Sequence, residues 1–577
     1  MSSLQSNHKK KGFSASAWFI LMLVLMVPIN IIASFFHSRL DLTNEKRFTL
    51  SKGTTKLLKH LDSTVTVDVF LKGNYPSGFR KLGVSTEDML REFKELAGTQ
   101  LVYHIISPEE LVEGTQVTYA DSLDAMGVPS INLTAQVKGG QQQQRLFPVA
   151  LMHYNNRILP VEIFKGKTPQ LNYKEIIGAE ALLEYQLANG IAKITEKKKA
   201  AVAYATGNGE PMDERVYDLA EQTIGPAYDL QLVDLATQPF IAPEFKALII
   251  VKPTLKFSDY EKLKLDQYIM NGGKVLFFID KLNAEMDSLQ VKNEVVAYER
   301  DLELNDLLFK YGVRVNPSLL MDLQCDYLPF DVSGNGQFEF LPWNYFPVLE
   351  SPNNHPINKN LGYVAGRFVN PIDTIEAEGI KKTILLWSST NARIISSPAL
   401  ISGRENVTAP ENEKFKTPHV PVAVLLEGKF FSLYRNRLTQ ALNDSLQQYG
   451  MEFLPEAIQR NQLLVASDGD LVLNAVAKGG QPLPMGMNPF TYGSQRQFPF
   501  VNREFLLNAL DHMINEHDLS EAKNKDYIVR LLDKKKIEEE QMQWQLINIA
   551  MPIVLVILFA LLFQWIRSRS YAQRRQP

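Results

Sequence analysis

The chain has 577 residues, in which 61 Lys and Arg face 64 Asp and Glu for a formal net charge of −3. So even a balance excludes the broad basic face that nucleic acid requires. A single cysteine, Cys325, excludes an internal disulfide and a Cys-based zinc site, and the nine histidines show no metal-ligand spacing.

Lys9, Lys10 and Lys11 precede an uncharged run over 17–36 that carries Trp18, Leu21, Leu23, Val24, Leu25, Val27, Ile29, Ile31 and Ile32. Its length and basic flank predict a transmembrane helix, in which Pro28 and Asn30 are tolerated because neighbouring groups re-satisfy the backbone. A cleaved signal peptide also places a basic stretch before an apolar run. This run is long for that role, and Ile31-Ile32-Ala33 puts a bulky residue where a cleavage site needs a small one, which favours an uncleaved anchor.

Residues 37–195 read as an N-terminal α/β domain. Val65–Leu71 alternates as a strand, and Ser85-Thr86-Glu87-Asp88 opens a helix with Met89, Leu90, Phe93, Leu96 and Ala97 on one face. Leu101–Ile106 completes a βαβ unit, so its strands should pair in parallel. Gln144–Leu151 and Arg157–Phe164 form a hairpin turning through Asn155-Asn156. A helical pattern over Ile176–Ile194 ends in Glu196-Lys197-Lys198-Lys199, a solvated charge run that marks a domain boundary.

Residues 196–515 read as a larger α/β domain with insertions. Ala200–Thr206, Leu230–Leu235, Lys246–Val251 and Lys274–Asp280 are strands, the last two apolar enough to be covered on both faces. Ser258-Asp259-Tyr260-Glu261 caps an intervening helix that ends at Asn271-Gly272-Gly273. Alternating apolar strands and helices predict a Rossmann-like or flavodoxin-like, largely parallel sheet. Beyond it, Leu302–Tyr311 is a helix and Phe330–Pro356, rich in Pro, Asn and aromatics, a long irregular loop. Thr383–Trp387, Val422–Leu426, Phe430–Leu433 and Leu463–Ser467 are strands without a clear linker before them, so they extend the same sheet. Asn502–Ile514 is a helix with Phe505, Leu506, Ala509, Leu510 and Met513 at core spacing.

Residues 516–545 read as a charged, solvated helical stem leading into 546–566, a second uncharged run flanked by Trp544 and Trp565. Arg567, Arg569, Arg574 and Arg575 follow in the basic tail 567–577. Cationic residues outside both spans place 1–16 and 567–577 in the cytoplasm and the body between them on the other side, which in a bacterium is the periplasm.

No catalytic constellation is visible. Gly207-Asn208-Gly209-Glu210 follows a strand and precedes a helix, where backbone amides can meet an anion or ligand. Met212 stands where the dinucleotide fingerprint needs its third glycine, and steric demands alone account for a Gly-rich turn. Gly166-Lys167-Thr168 resembles the end of a P-loop, but Val161 occupies the leading glycine position. Cys325 lacks a glycine elbow and neighbours Asp326, as an ordinary packed thiol would. Asp280 and Asp468 follow strands, where α/β sites often lie and solvated loop carboxylates also occur.

Several short stretches resemble one family in order. They are Arg47-Phe48-Thr49-Leu50-Ser51, Pro76-Ser77-Gly78-Phe79-Arg80-Lys81-Leu82, Gly207-Asn208-Gly209-Glu210 and the run Leu265–Val275. Asn354-His355-Pro356-Ile357, Asn502-Arg503-Glu504-Phe505 and Trp544-Gln545-Leu546-Ile547-Asn548 follow. Together with two terminal spans, this resembles the GldG-like, gliding-motility-associated auxiliary subunits of ABC transporters in Bacteroidetes. The resemblance implies a non-enzymatic inner-membrane subunit without a cofactor, working beside a separate ABC-type ATPase subunit and a multi-span permease subunit. Two other readings stay open: a tethered periplasmic enzyme with a hydrolase-like sheet, and a scaffold that contacts cell-envelope components without a transporter.

Overall fold

The computed structural model describes residues 49–572, apart from 127, 129, 138–139, 165–172, 293, 334, 360, 404–411, 478, 499, 515–518 and 524–533, together with 24 and 26–28. The first predicted span, 17–36, and Gly166-Lys167-Thr168 therefore lie outside the described residues, except that Val24 and Met26–Pro28 are helical and exposed. The chain divides into two units, 1–525 and 526–577.

Within the first unit, the N-terminal part is a four-stranded sheet. Val65–Val69 pairs in parallel with Leu101–Ile105, as the βαβ pattern requires, and antiparallel with Val149–Tyr154, which pairs in turn with Arg157–Glu162. The crossover helix is Ser77–Ala97. It starts eight residues before the predicted point because Pro76 supplies a fixed φ just ahead of the first turn. The hairpin turns through Asn155 and Asn156, both with positive φ (44° and 63°), a conformation Asn tolerates. Its first strand is shorter than expected: Phe147-Pro148 breaks the run, and Gly140–Leu146 pairs instead with Ile131–Val137. Phe79, Leu82, Leu90 and Phe93 meet Leu183, Leu187 and Ile191 of the helix Tyr173–Thr195 in a core completed from far down the chain by Leu519 and Ala522.

The main body is a seven-stranded mixed sheet. From edge to edge its order is Ile380–Trp387, Pro421–Gly428, Asn461–Ala466, Lys274–Phe278, Ala247–Val251, Ala201–Thr206, Asp229–Asp234. The last five are mutually parallel, and Pro421–Gly428 runs antiparallel to both of its neighbours, so Ile380–Trp387 points the same way as the five. In Ala247–Val251 alternate side chains enter opposite cores. Ile249 and Val251 join Leu276, Phe505 and Leu510 on one face, while Leu248 and Ile250 join Leu265, Ile269 and Leu307 on the other. Both faces are covered, which is why the strand reads as an unbroken apolar run. The covering helix Asp259–Met270 opens with a reciprocal capping box between Ser258 and Glu261, which satisfies two otherwise orphaned amides.

An insertion builds a third core around Trp343, Tyr345, Phe346 and Phe368. Here the expected irregular loop contains a long strand, Glu339–Leu349, paired antiparallel with Cys325–Phe330. Pro342 and Pro347 disguise it; they are accommodated because the register shifts between Cys325 and Tyr327. Conversely, Phe430–Leu433 forms no strand, only an isolated bridge from Phe431 to Glu456.

The described residues of the second unit form a helix, Lys534–Ala572, with Pro552 inside it. Within its segment Glu540–Arg569 the most apolar 18-residue stretch has a mean hydropathy of 2.9, and the segment is long and apolar enough to cross a membrane.

Candidate functional site

The order of the parallel strands reverses at Ala201–Thr206: the chain moves outward to Asp229–Asp234, then back across to Ala247–Val251. In open α/β sheets the crevice beside the carboxyl ends at such a reversal is where ligands sit. Four neighbouring strands here end in polar residues: Gly207–Glu210, Lys252, Asp280, and Asp468 with Asp470.

The Gly207–Glu210 turn is tightly fitted. Gly207 and Gly209 have φ of 108° and 78°, angles that disfavour any side chain. A Cβ at Gly207 would lie 2.6 Å from Asp234 Oδ1, and one at Gly209 would collide with Thr254 Oγ1. Asn208 O accepts from the amides of Thr254 and Leu255 at 2.9 and 2.8 Å, and the Asn208 amide donates to Glu210 Oε2 at 2.8 Å. The first regular structure to follow is a 3-10 turn, Glu214–Val216, and then a π-helix, Asp218–Ile224. The turn is thus engaged with the next crossover loop. Two atoms are left over: among the described residues, the buried Asn208 Oδ1 and Glu210 Oε1 have no hydrogen-bond partner. Burial pushes the Glu210 carboxyl up to about 7.

Beside this turn lies a buried charge network. Lys252 is 3% exposed and has a φ of 46°. Its Nζ lies 2.8 Å from Asp470 Oδ2, 3.0 Å from Glu285 Oε2 and 3.4 Å from Asp280 Oδ2. Burial opposes its charge, but Asp470, Asp280 and Glu285 outweigh it and hold the ammonium protonated well above the usual lysine range. Burial pushes Asp280 up to about 6 despite Lys252. Asp468, wholly buried, is raised further by burial and by Asp470 and Asp280. Asp470 goes the other way, because Lys252 and Arg367 more than offset its burial. Backbone amides complete the set: Gly469 donates to Asp280 at 2.6 Å, Arg367 to Asp468 at 2.7 Å and Asp470 to Asp468 at 2.8 Å. A permanently charged lysine caged by carboxylates is neither a nucleophile nor a base. Its arrangement is a lock across three strand ends.

Asp280 and Asp468 are therefore interior groups rather than solvated loop acids. Lys252 is the partner that the sequence reading missed, its only signal being a cation directly after an apolar strand and before Pro253. Cys325 lies apart from this edge; its Sγ approaches Leu323 O at 3.7 Å and Asn344 Oδ1 at 3.5 Å. Burial, with Asp322 and Asp326, raises the thiol well above its ordinary range, so it stays protonated and unreactive.

Residues 199–509 match the family described as an ABC-type uncharacterized transport system; that is more than half of the chain, and the chain belongs to this family, an auxiliary component of ABC-type transport. Residues 44–153 match a domain of unknown function. An uncharacterized protein of Borreliella burgdorferi is 20% identical over 432 residues, covering 73% of this chain and 78% of that protein. Among solved structures, the mmIFT52 N-terminal domain is similar at 11% identity with a TM-score of 0.30, over 55% of this chain and 97% of that one. The exo-beta-1,4-mannosidase Op5Man5 from Opitutaceae bacterium strain TAV5 is similar at 9% identity with a TM-score of 0.17, over 49% and 34%. Scores this low carry no argument about fold or activity.

Proposed function

We propose that this chain is a non-catalytic, membrane-anchored auxiliary subunit of an ABC transporter that serves gliding motility or export. It works beside a separate ATPase subunit and a multi-span permease subunit in a bacterial inner membrane. Its two ends are cytoplasmic and its α/β body, with a Rossmann-like sheet, is periplasmic. The observation that carries this reading is the family match over 199–509, joined to a C-terminal helix of membrane-crossing length. Cationic flanks at both apolar segments support the orientation. Lys252, Asp280 and Asp470 make the sheet edge rigid, which suits a body that transmits a partner's movement. The turn Gly207, Asn208, Gly209 and Glu210, where Asn208 Oδ1 and Glu210 Oε1 are unpartnered, is the contact point for a ligand or a partner subunit.

Extraction in mild detergent followed by identification of the co-purifying chains tests the assignment. An ATPase and a multi-span protein are expected in stoichiometric amounts; recovery with cell-envelope proteins alone would replace the transporter reading by a scaffold. A reporter inserted near Lys198 should be reachable only from outside the inner membrane, and a signal from the cytoplasm would invert the topology. Severing the C-terminal span should reduce transporter ATPase activity or motility at unchanged protein levels.

A further inference from the structure

At the opposite end of the sheet, three residues from distant parts of the chain meet. Glu427 lies near the end of the strand Pro421–Gly428, His512 in the helix Asn502–Ile514, and His355 in the segment after Glu339–Leu349. One donor atom from each falls within 4.8 Å of the others, and all three residues are half-buried. The two imidazoles meet edge-to-face, with centroids 4.8 Å apart and planes at 74°.

A fourth residue bridges two of the three. Gln462 Nε2 donates to Glu427 Oε1 at 2.9 Å and contacts His512 Nε2 at 3.3 Å. A single partly positive NH2 group thus sits between an imidazole nitrogen and a carboxylate oxygen, in the place that a cation would take. Lys381 Nζ lies 3.5 Å from Glu427 Oε2, the other carboxylate oxygen. Beside the cluster opens a cavity of about 320 Å³, lined by Lys274, Lys381, Glu427, Arg460 and Gln462 among others.

We propose that His355, Glu427 and His512 bind one divalent transition-metal ion of the zinc class, displacing the Gln462 amide. Two nitrogen donors and one oxygen donor match zinc, nickel or copper chemistry and do not match the all-oxygen shells of calcium or magnesium. Ligation through His355 Nε2 moves the ring proton to Nδ1 and gives up a long 3.3 Å contact from the Ile357 amide. The fourth position is left for water or an anion, which the lysines and arginine of the neighbouring cavity would favour. The ion ties the segment 350–359 and the helix Asn502–Ile514 to an edge of the sheet, a connection already begun by Asn508 Nδ2 donating to Ile357 O at 3.0 Å.

The test uses the tag-free full chain in detergent, stripped with EDTA and titrated with Zn²⁺ against a chromophoric chelator, then with Co²⁺ by absorption. One equivalent per chain is expected, with an intense tetrahedral-type Co²⁺ band and a thermal transition that Zn²⁺ raises and EDTA restores. His355→Ala, His512→Ala and Glu427→Gln should each weaken Zn²⁺ binding by more than the ~10–100-fold typical of changing an outer-shell partner. Glu427→Gln keeps the side-chain volume, so it carries the test if a histidine variant fails to fold. Wild-type affinity in Glu427→Gln or in a folded His512→Ala, or no stoichiometric binding at all, overturns the proposal.

Discussion

Arg503 grips Asp218 with Nη2 at 2.7 and 2.8 Å from the two carboxylate oxygens, although the Asp218 side chain is only 2% exposed. The carboxylate also accepts from the Met485 amide and from Thr223 Oγ1. This pair fastens the helix Asn502–Ile514 to the π-helix Asp218–Ile224 over one face of the sheet. Removing Arg503 leaves the buried Asp218 charge without its cation, whereas Arg503, 30% exposed, keeps access to water when Asp218 is lost. Arg503→Ala should therefore cost about 3–5 kcal/mol in denaturant unfolding, and Asp218→Ala less. A double substitution to apolar residues of similar size should cost less than either single change, and strict additivity would refute this account of the pair.

Lys252 makes a similar demand at the strand ends. Lys252→Ala removes the cation that Asp470, Asp280 and Glu285 share, leaving Glu285 with Arg300 at 3.4 Å and Asp280 beside Asp470. The variant should lose about 3–5 kcal/mol at neutral pH and recover much of it under mild acid, as Asp280 and Asp470 protonate. Urea unfolding at pH 7 and pH 5 provides the comparison, and an unchanged difference between the two would count against the lock.

Glu210 predicts a distinct pH dependence. Burial raises its carboxyl from 4.5 to about 7 in the folded chain, so the fold holds its proton where the unfolded chain releases it. Its contribution is fully present below about pH 4.5 and is lost as pH rises to about 7, a difference of about 3 kcal/mol for a shift of that size. Glu210→Gln should remove this slope and raise the melting temperature at pH 8. A variant that melts below the wild type at pH 8 would mean that the ionised carboxylate is held by something else.

Lys523 acts in the other direction. It is 3% exposed, with Nζ 2.9 Å from Asn508 Oδ1 and 4.5 Å from the centroid of the Tyr185 ring. Burial pushes its ammonium from 10.5 down to about 7, although Asp511 opposes the shift. Between about pH 7 and 10.5 the unfolded chain binds the proton that the fold excludes, so stability should rise with pH across that window. Lys523→Met should be more stable than the wild type at pH 7 and should lose the rise; thermal melts at pH 7 and 9 decide it.

The parts legible from sequence were those in which one physical demand dominates. Ala247–Val251 is apolar on both faces because two layers cover it, and Ser258 with Glu261 marks a helix start because free amides need acceptors. The strand Glu339–Leu349 was hidden because Pro342 and Pro347 signal a loop locally, while the burial of Trp343 and Tyr345 overrules them. The site divides in the same way. Asp280 and Asp468 were noticeable after their strands, whereas Lys252 joins them only through the alignment of three strand ends. His355, Glu427 and His512 leave no spacing signature, since nothing short of the assembled sheet sets them side by side.

The body also closes on itself where it begins and ends. The Lys52 amide donates to Glu521 Oε2 at 3.3 Å, and Leu519 and Ala522 share a core with Leu58. A pull applied at residue 51 and resisted at residue 523 would meet this short junction first. The load would shear one small helix pair, and the seven-stranded sheet would be spared until that clasp gave way.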